Sequence, residues 1–281
     1  MRIGTRGSAL ALAQARPIAD ALGGELVVIA TSGDRDATAS DKSRWVAEIE
    51  RALLHDDVDL AVHSAKDVPS ELADGLTLLP SPPRADPRDA LCGAPSLAAL
   101  GHGARVGTSS LRRAAQLRAA RPDLEVAELR GNVDTRLRRL REGGYDAIVL
   151  AAAGLARLGR ASEGHPLDGL LPAAGQGTLA LEARADRDDV REAAAALADE
   201  HATGALAAER ALVRGLEADC HTPVAAFAAR AGALWRLEAF VGRVDGSAWL
   251  RDDLHGADPE ALGAEVARRL LTAGAAEVLG R

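Results

Sequence analysis

Apolar residues in this chain fall alternately into short continuous runs and into stretches with helical spacing, and the alternation occurs twice. Arg2-Ile3-Gly4-Thr5 reads as a short strand ending in Gly-Thr. The spacing from about Ser8 to Leu22 predicts a helix, Leu26 to Thr31 a strand, Arg44 to His55 a helix and Asp59 to Ser64 a buried strand. From Arg105 the same order returns. Arg105-Val106-Gly107-Thr108 is again a strand ending in Gly-Thr. Leu111 to Arg121 reads as a helix, Glu125 to Leu129 as a strand, Val133 to Glu142 as a helix and Asp146 to Leu150 as a strand. A repeated β-α-β-α-β order predicts an α/β fold of two similar halves, each with a mainly parallel sheet covered on both faces.

Two Pro- and Gly-rich stretches mark crossings between the halves: Leu79 to Pro83 and Leu171 to Gly177. Two crossings imply that the chain returns to the first half, over Thr178 to about Ala196, and that a hinge joins the halves. The expected domains are 1–82 with 178–196, then 86–172, then 200–281. The last is read as a small α+β unit. It has a helix from Ala205 to Glu217 and strands at Val224–Ala229, Leu234–Val241 and Ala248–Asp252, followed by an amphipathic helix from Pro259 to Leu271.

Composition sharpens this picture in three ways. Aromatics are only 2% against 47% hydrophobic residues, so the cores must be built from Ala, Leu and Val. The balance of 34 basic and 41 acidic residues gives −7, which argues against nucleic acid as a partner while allowing a local basic cleft. No apolar run is long enough for a membrane span, and Met1-Arg2-Ile3-Gly4 lacks the pattern of a secretory leader, so a cytoplasmic setting is expected. Cys92 and Cys220 have neither disulfide-framework nor metal-ligand spacing, so no metal is expected. Lys42 and Lys66 are the only lysines. Arg is a poor substitute where a compact ammonium is needed, which marks both positions.

The candidate chemistry sits at strand ends. Gly4-Thr5-Arg6-Gly7-Ser8 and Gly107-Thr108-Ser109-Ser110 each join a strand to a helix, where free N–H groups and hydroxyls suit anions. Ordinary N-capping by Ser8 and Ser110 accounts equally well for one such turn. Two matched turns favour anion binding. Arg112 and Arg113 follow the second turn, and Arg130, Arg136 and Arg157 follow strand ends, where ligands of open α/β sheets sit. Guanidinium grips carboxylate in a bidentate fork, so a substrate with several carboxylates or phosphates is expected. Arg118, Arg121, Arg138, Arg139 and Arg141 read as a solvated helix face. No Gly-rich loop ends in Lys-Ser/Thr, which argues against a nucleotide. Asp67, beside Lys66 and just past a buried strand, would stay ionised among these cations and is suited to hold N–H donors or to stabilise a cation. Cys92 reads as structural; Cys220, on a loop beside His221, is either structural or a reactive thiol. These residues leave open a two-lobed polycarboxylate-binding protein as well as an enzyme.

Several long motifs occur in the order found in one family. They are Arg2 to Ala15, Thr31-Ser32-Gly33-Asp34, Asp59 to Pro69, Asp86 to Ala90, Val106 to Arg113 and Leu129 to Val133, then Tyr145 to Gly159, Pro172 to Gly177 and the Cys220 loop. With these the chain resembles the porphobilinogen deaminases, also called hydroxymethylbilane synthases, over essentially its whole length. The resemblance implies two domains similar to periplasmic binding proteins plus a third, and a monomer. It implies a transferase that joins four porphobilinogen molecules head to tail with loss of ammonia to give hydroxymethylbilane for tetrapyrrole synthesis. It also implies a dipyrromethane cofactor held by a thioether to Cys220, with Asp67 as the catalytic acid group. Lys66, Thr108, Ser110, Arg112, Arg113 and Gly177 match cofactor positions, and Arg6, Ser8, Arg130, Arg136, Arg157 and Gln176 match substrate positions. Gln176 and Gly177 lie at the hinge crossing. The chain departs from the family pattern at Ser40 to Trp45, where a Gly-rich lid segment is usual although Lys42 matches, at Ala218-Asp219 before Cys220, and at Asp134. A catalytically degenerate relative is the alternative that these departures leave open.

Overall fold

A computed structural model of the chain describes residues 1–31, 46–219 and 221–281. Lys42, Trp45, the rest of the lid segment, Ser32 to Asp34 and Cys220 therefore lie outside the described residues.

The first half opens with β1 (Arg2–Arg6), α1 (Ala9–Leu22), β2 (Glu25–Ile29), α2 (Ala47–Leu54), β3 (Leu60–Ser64) and β4 (Leu76–Leu79). The chain then crosses into β5 (Asp89–Cys92), β6 (Arg105–Gly107), α3 (Leu111–Ala120), β7 (Glu125–Ala127), α4 (Val133–Arg141), β8 (Ala147–Ala151), α5 (Ala152–Arg157) and β9 (His165–Leu167). It returns through β10 (Leu179–Arg184) and α6 (Asp188–Ala195).

Among the described residues the two sheets have the same plan. One runs β2-β1-β3-β10-β4 and the other β7-β6-β8-β5-β9. In each, the first three strands are parallel, and the fourth and fifth follow antiparallel pairings. The fourth strand is the one next to a crossing: β10 arrives in the first sheet after the second crossing, and β5 enters the second sheet after the first. The halves are thus similar, and the return of the chain completes the first sheet. Short β4, β5 and β9, helix α5 and a last helix were not expected from periodicity. Three or four residues are too few to display a period.

The cores are aliphatic, as the composition demands. Ile3, Ile18, Leu60, Leu181 and Val190 pack in the first half, and Leu91, Val106, Leu117 and Val149 in the second. The third unit combines α7 (Glu200–Gly215), β11 (Val224–Ala231), β12 (Leu234–Gly242), β13 (Trp249–Gly256), α8 (Pro259–Thr272) and α9 (Ala275–Leu279), with Trp235 in its core. Helix α7 starts earlier than its apolar spacing suggests because the Asp199 side chain caps it, accepting from the Ala202 N–H at 2.7 Å. Helices α7 and α8 touch at Gly263, where a Cβ would collide with the Ala208 carbonyl and lie 2.7 Å from the Ala211 Cβ. Gly263→Ala is expected to cost about 1–3 kcal/mol through overpacking, read from the urea midpoint.

The third unit is fastened to both crossings. Glu209 on α7 is fully buried, and its carboxylate accepts from Arg84 Nη1 at 2.6 Å, from the Gly175 N–H at 2.6 Å and from the Ala228 N–H at 2.8 Å. Arg84 also donates to the Gln176 carbonyl at 2.9 Å. Arg118, expected on a solvated face, instead donates to the Val244 and Val126 carbonyls, tying the β12–β13 turn to α3. Arg121 likewise bonds Asp123 and the Leu97 carbonyl. Helical spacing does not show which arginines of a face a neighbouring unit or loop will engage.

Candidate active site

The first half supplies an acid beside a hydroxyl-bearing helix start. Strand β3 ends at Ser64 and turns through a short 3-10 segment, Ala65–Asp67, which brings Asp67 back toward the β1–α1 turn. Arg6, Ser8, Gln14, His63, Ser64 and Asp67 line a concavity. Ser8 is the N-cap of α1; its oxygen accepts from the Ala11 N–H at 3.2 Å. A capping hydroxyl accepts the backbone bond and keeps its own O–H for a ligand. Capping therefore leaves the turn able to bind an anion.

The second half repeats the device. Ser110 caps α3 by accepting from the Arg113 N–H, and buried Thr108 accepts from the Ser110 N–H at 3.1 Å. Next to this turn Arg136 donates to the Gly131 carbonyl at 2.6 Å and to Ser109 Oγ at 3.1 Å. Among the described residues it makes no ion pair. Withdrawal from water, and then the Arg113 charge, push its guanidinium down to about 10, against the pull of Asp67. It stays charged at neutral pH. Asp67 of the first half is thus near enough to Arg136 of the second to act on its charge. Arg157 donates to the Gly177 carbonyl at 2.7 Å, and burial lowers its guanidinium. Arg130 is exposed and bonds Glu128 at 2.6 Å, which places it at the rim.

Arg112 and Arg113 are placed differently from the expectation of open cleft arginines. Both are buried, at 4% and 5% exposure, around Asp89 at 0%. Asp89 accepts from Arg112 Nη1 at 2.8 Å and Nη2 at 3.1 Å, from Arg113 Nε at 3.0 Å and from Gln176 Nε2 at 2.9 Å. Burial alone would raise the Asp89 carboxyl, but the two guanidiniums outweigh it and hold it far below the usual carboxylate range. Gln176, expected on the substrate surface, is 1% exposed. Its amide donates to Asp89 and to the Pro87 carbonyl, and its oxygen accepts from Lys66 Nζ at 3.3 Å. It is thus a strut from Lys66 in one half to Asp89 in the other. Gly177 beside it has φ +89°, and a Cβ there would strike the Ala85 carbonyl, so the crossing requires glycine.

Sequence reasoning missed Asp89 and Glu209. Glu209 carries a readable signal, since it lies four residues after Ala205 and three before Leu212, inside an apolar helical stripe. Asp89 carries less, because it merely precedes three apolar residues of a short strand.

The site can hold an anionic group. Among the described residues Arg112 Nε is buried with no hydrogen-bond partner, and Arg136 is a desolvated cation with no ion pair. Orphaned donors of this kind call for acceptor oxygens. Next to Cys220 in the sequence, Asp219 accepts from the His221 N–H at 2.9 Å and from the Thr222 hydroxyl at 2.7 Å. The exposed Asp219 carboxyl is lowered; partial burial opposes this, and the Thr222 and His221 bonds outweigh it. Among the described residues no cluster of His, Cys, Asp or Glu is suited to a metal, and no helix is long and apolar enough to cross a membrane.

Residues 1–192 match the family described as "Porphobilinogen deaminase, dipyromethane cofactor binding domain", and 204–272 match "Porphobilinogen deaminase, C-terminal domain". The chain is 50% identical to the porphobilinogen deaminase of Roseiflexus castenholzii, over 99% of this chain and 98% of that one. It is 47% identical to that of Deinococcus radiodurans, over 99% and 97%. A solved putative methionine-binding lipoprotein of Bacillus subtilis matches at 12% identity over 70% of this chain and 89% of the other, with a TM-score of 0.42. The chain belongs to the porphobilinogen deaminase family.

Proposed function

We propose that this chain is a hydroxymethylbilane synthase. It joins four porphobilinogen molecules head to tail, releases ammonia from each and yields linear hydroxymethylbilane for tetrapyrrole synthesis. The observation that carries the reading is the opposition of Asp67 and Arg136 across two matched helix starts in a chain of this family. One group must neutralise cationic character and several must hold carboxylates, and the two halves supply these separately.

Asp67 orients the pyrrole N–H of the incoming unit and stabilises the azafulvene cation left when ammonia departs. Arg6, Ser8, Arg130, Arg136 and Arg157 hold acetate and propionate groups of the substrate. Thr108, Ser110, Lys66, Arg112 and Arg113 hold those of the cofactor, with the Gly177 backbone beside them. Gln176 keeps Lys66 and Asp89 in register across the hinge. A dipyrromethane bound to Cys220 supplies the terminal pyrrole to which units are added. The domains divide at 1–82 with 178–196, 86–172 and 200–281, and the protein works as a cytoplasmic monomer.

Intact-protein mass spectrometry with a porphobilinogen assay tests this. The expected result is a mass excess of two pyrrole units on the wild-type chain, absent from Cys220→Ser, together with product formation by the wild type alone. An unmodified wild-type mass without product would overturn the reading in favour of a binding protein or a degenerate relative.

A further inference from the structure

The short turn that carries Asp67 is held from behind by segments outside its own sheet. On its entry side the Ala65 N–H donates to the Thr178 carbonyl at 3.0 Å, just past the second crossing. Gly175 in that crossing comes so close that a Cβ on it would lie 2.9 Å from the Ala65 Cβ and 3.0 Å from the Lys66 nitrogen. On its exit side the chain runs from Val68 to Gly75 without helix or strand. No sheet ladder fixes this stretch, and Pro69 has no N–H to donate.

Helix α7 of the third unit supplies what the exit lacks. Leu206 shares one buried cluster with Ala65, Val68 and Ala180. One helical turn later, Arg210 Nη2 donates to the Ser70 carbonyl at 2.9 Å, shortly past Asp67. Residues four apart lie on one helix face, so the apolar support and the donor act from the same side. Glu209, next to Arg210, accepts from the Gly175 N–H at 2.6 Å. Successive residues of one helix thus grip the segments that flank Asp67: Glu209 the crossing that abuts Ala65 and Lys66, and Arg210 the exit of the turn.

We propose that Arg210 is a positioning residue that fixes the exit of this turn and with it the aim of the Asp67 carboxylate. The third unit thereby sets the direction of an acid that the first half carries. A charge-stabilising group works through its placement before the reaction, and a displacement on the order of 1 Å can cost about 10²-fold in rate. A guanidinium suits the task, since its planar fork loses less freedom per hydrogen bond than a flexible ammonium does. This inference rests on the turnover of porphobilinogen proposed above.

The test places Arg210→Gln and Arg210→Lys in the wild-type and Asp67→Asn holoenzymes and measures kcat, KM and hydrogen exchange. In the wild-type background Arg210→Gln should lower kcat by about 10–10²-fold, with KM within about twofold. In the Asp67→Asn background the same change should cost less than about threefold, because the charge it would misdirect is already gone. Glu182 is near enough to act on the Arg210 charge. Arg210→Lys keeps that charge, so its kcat should lie between wild type and Arg210→Gln, and it carries the comparison where the glutamine variant does not fold. Amides in residues 66–72 should exchange at least about tenfold faster in Arg210→Gln, with those of β10 at the wild-type rate. An equal loss in both backgrounds overturns the proposal. So does a lowered melting temperature with normal kcat, the mark of a merely structural bond, and so does unchanged exchange over 66–72. Absence of wild-type product would instead sink the enzyme reading, while the exchange would still decide whether Arg210 holds the turn.

Discussion

Asp67→Asn is expected to fold normally and to lose turnover by about 10²–10³-fold, the scale of removing one preorganised charge-stabilising group. The substitution keeps the shape of the side chain on its short turn, so the packing of Ala65 and Val68 beneath it is retained. What changes is charge. Asp67 is the acid whose field reaches Arg136 in the opposite half. Its amide would leave Arg136 and Arg6 facing a cationic intermediate with nothing negative between them. Coulomb repulsion then acts where attraction is required. Binding of the carboxylate groups should survive, because the arginines remain. The expected signature is a fall in kcat with KM little changed and a melting temperature within a few degrees of wild type. Near-normal turnover would refute the role of Asp67.

The repeat that places Asp67 was legible because each half has strands and helices long enough to show a period and ends its first strand in Gly-Thr. The return of the chain was legible from two proline- and glycine-rich crossings. What could not be read was the place that β5 and β10 take within their sheets. The antiparallel fourth position is fixed by long-range pairing, and nothing local encodes it. The same limit explains the arginines. Arg112 and Arg113 were identified by their position after a strand–helix turn, and they do lie there. Their burial depends on Asp89, a strand residue more than twenty positions away in sequence. Gln176 was recognised as part of a crossing, but its partners Lys66 and Asp89 come from different halves. Local pattern shows which groups are available. Tertiary pairing decides which are free to touch a ligand and which hold the wall behind it.

That wall should fail when Asp89 is removed. Asp89→Ala is expected to destabilise the protein by about 3–5 kcal/mol, the cost of breaking a buried ion pair from one side. Two guanidiniums at 4% and 5% exposure would lose their counter-charge, and the Gln176 amide would lose one of its acceptors. Asp89→Asn keeps the volume but has the same charge defect, so it should also be destabilised, though less, since its oxygen still accepts. Urea unfolding checks both. The pH dependence has a definite sign. The folded carboxyl lies below its unfolded value, so the stabilisation is complete above about pH 4 and is lost as pH falls below that toward the depressed value. Wild-type stability should therefore drop in acid by more than that of Asp89→Asn, and the two curves should converge. Equal stability at neutral pH would mean that Arg112 and Arg113 are satisfied by other groups, and Asp89 would then lose its place as the anchor of the second half.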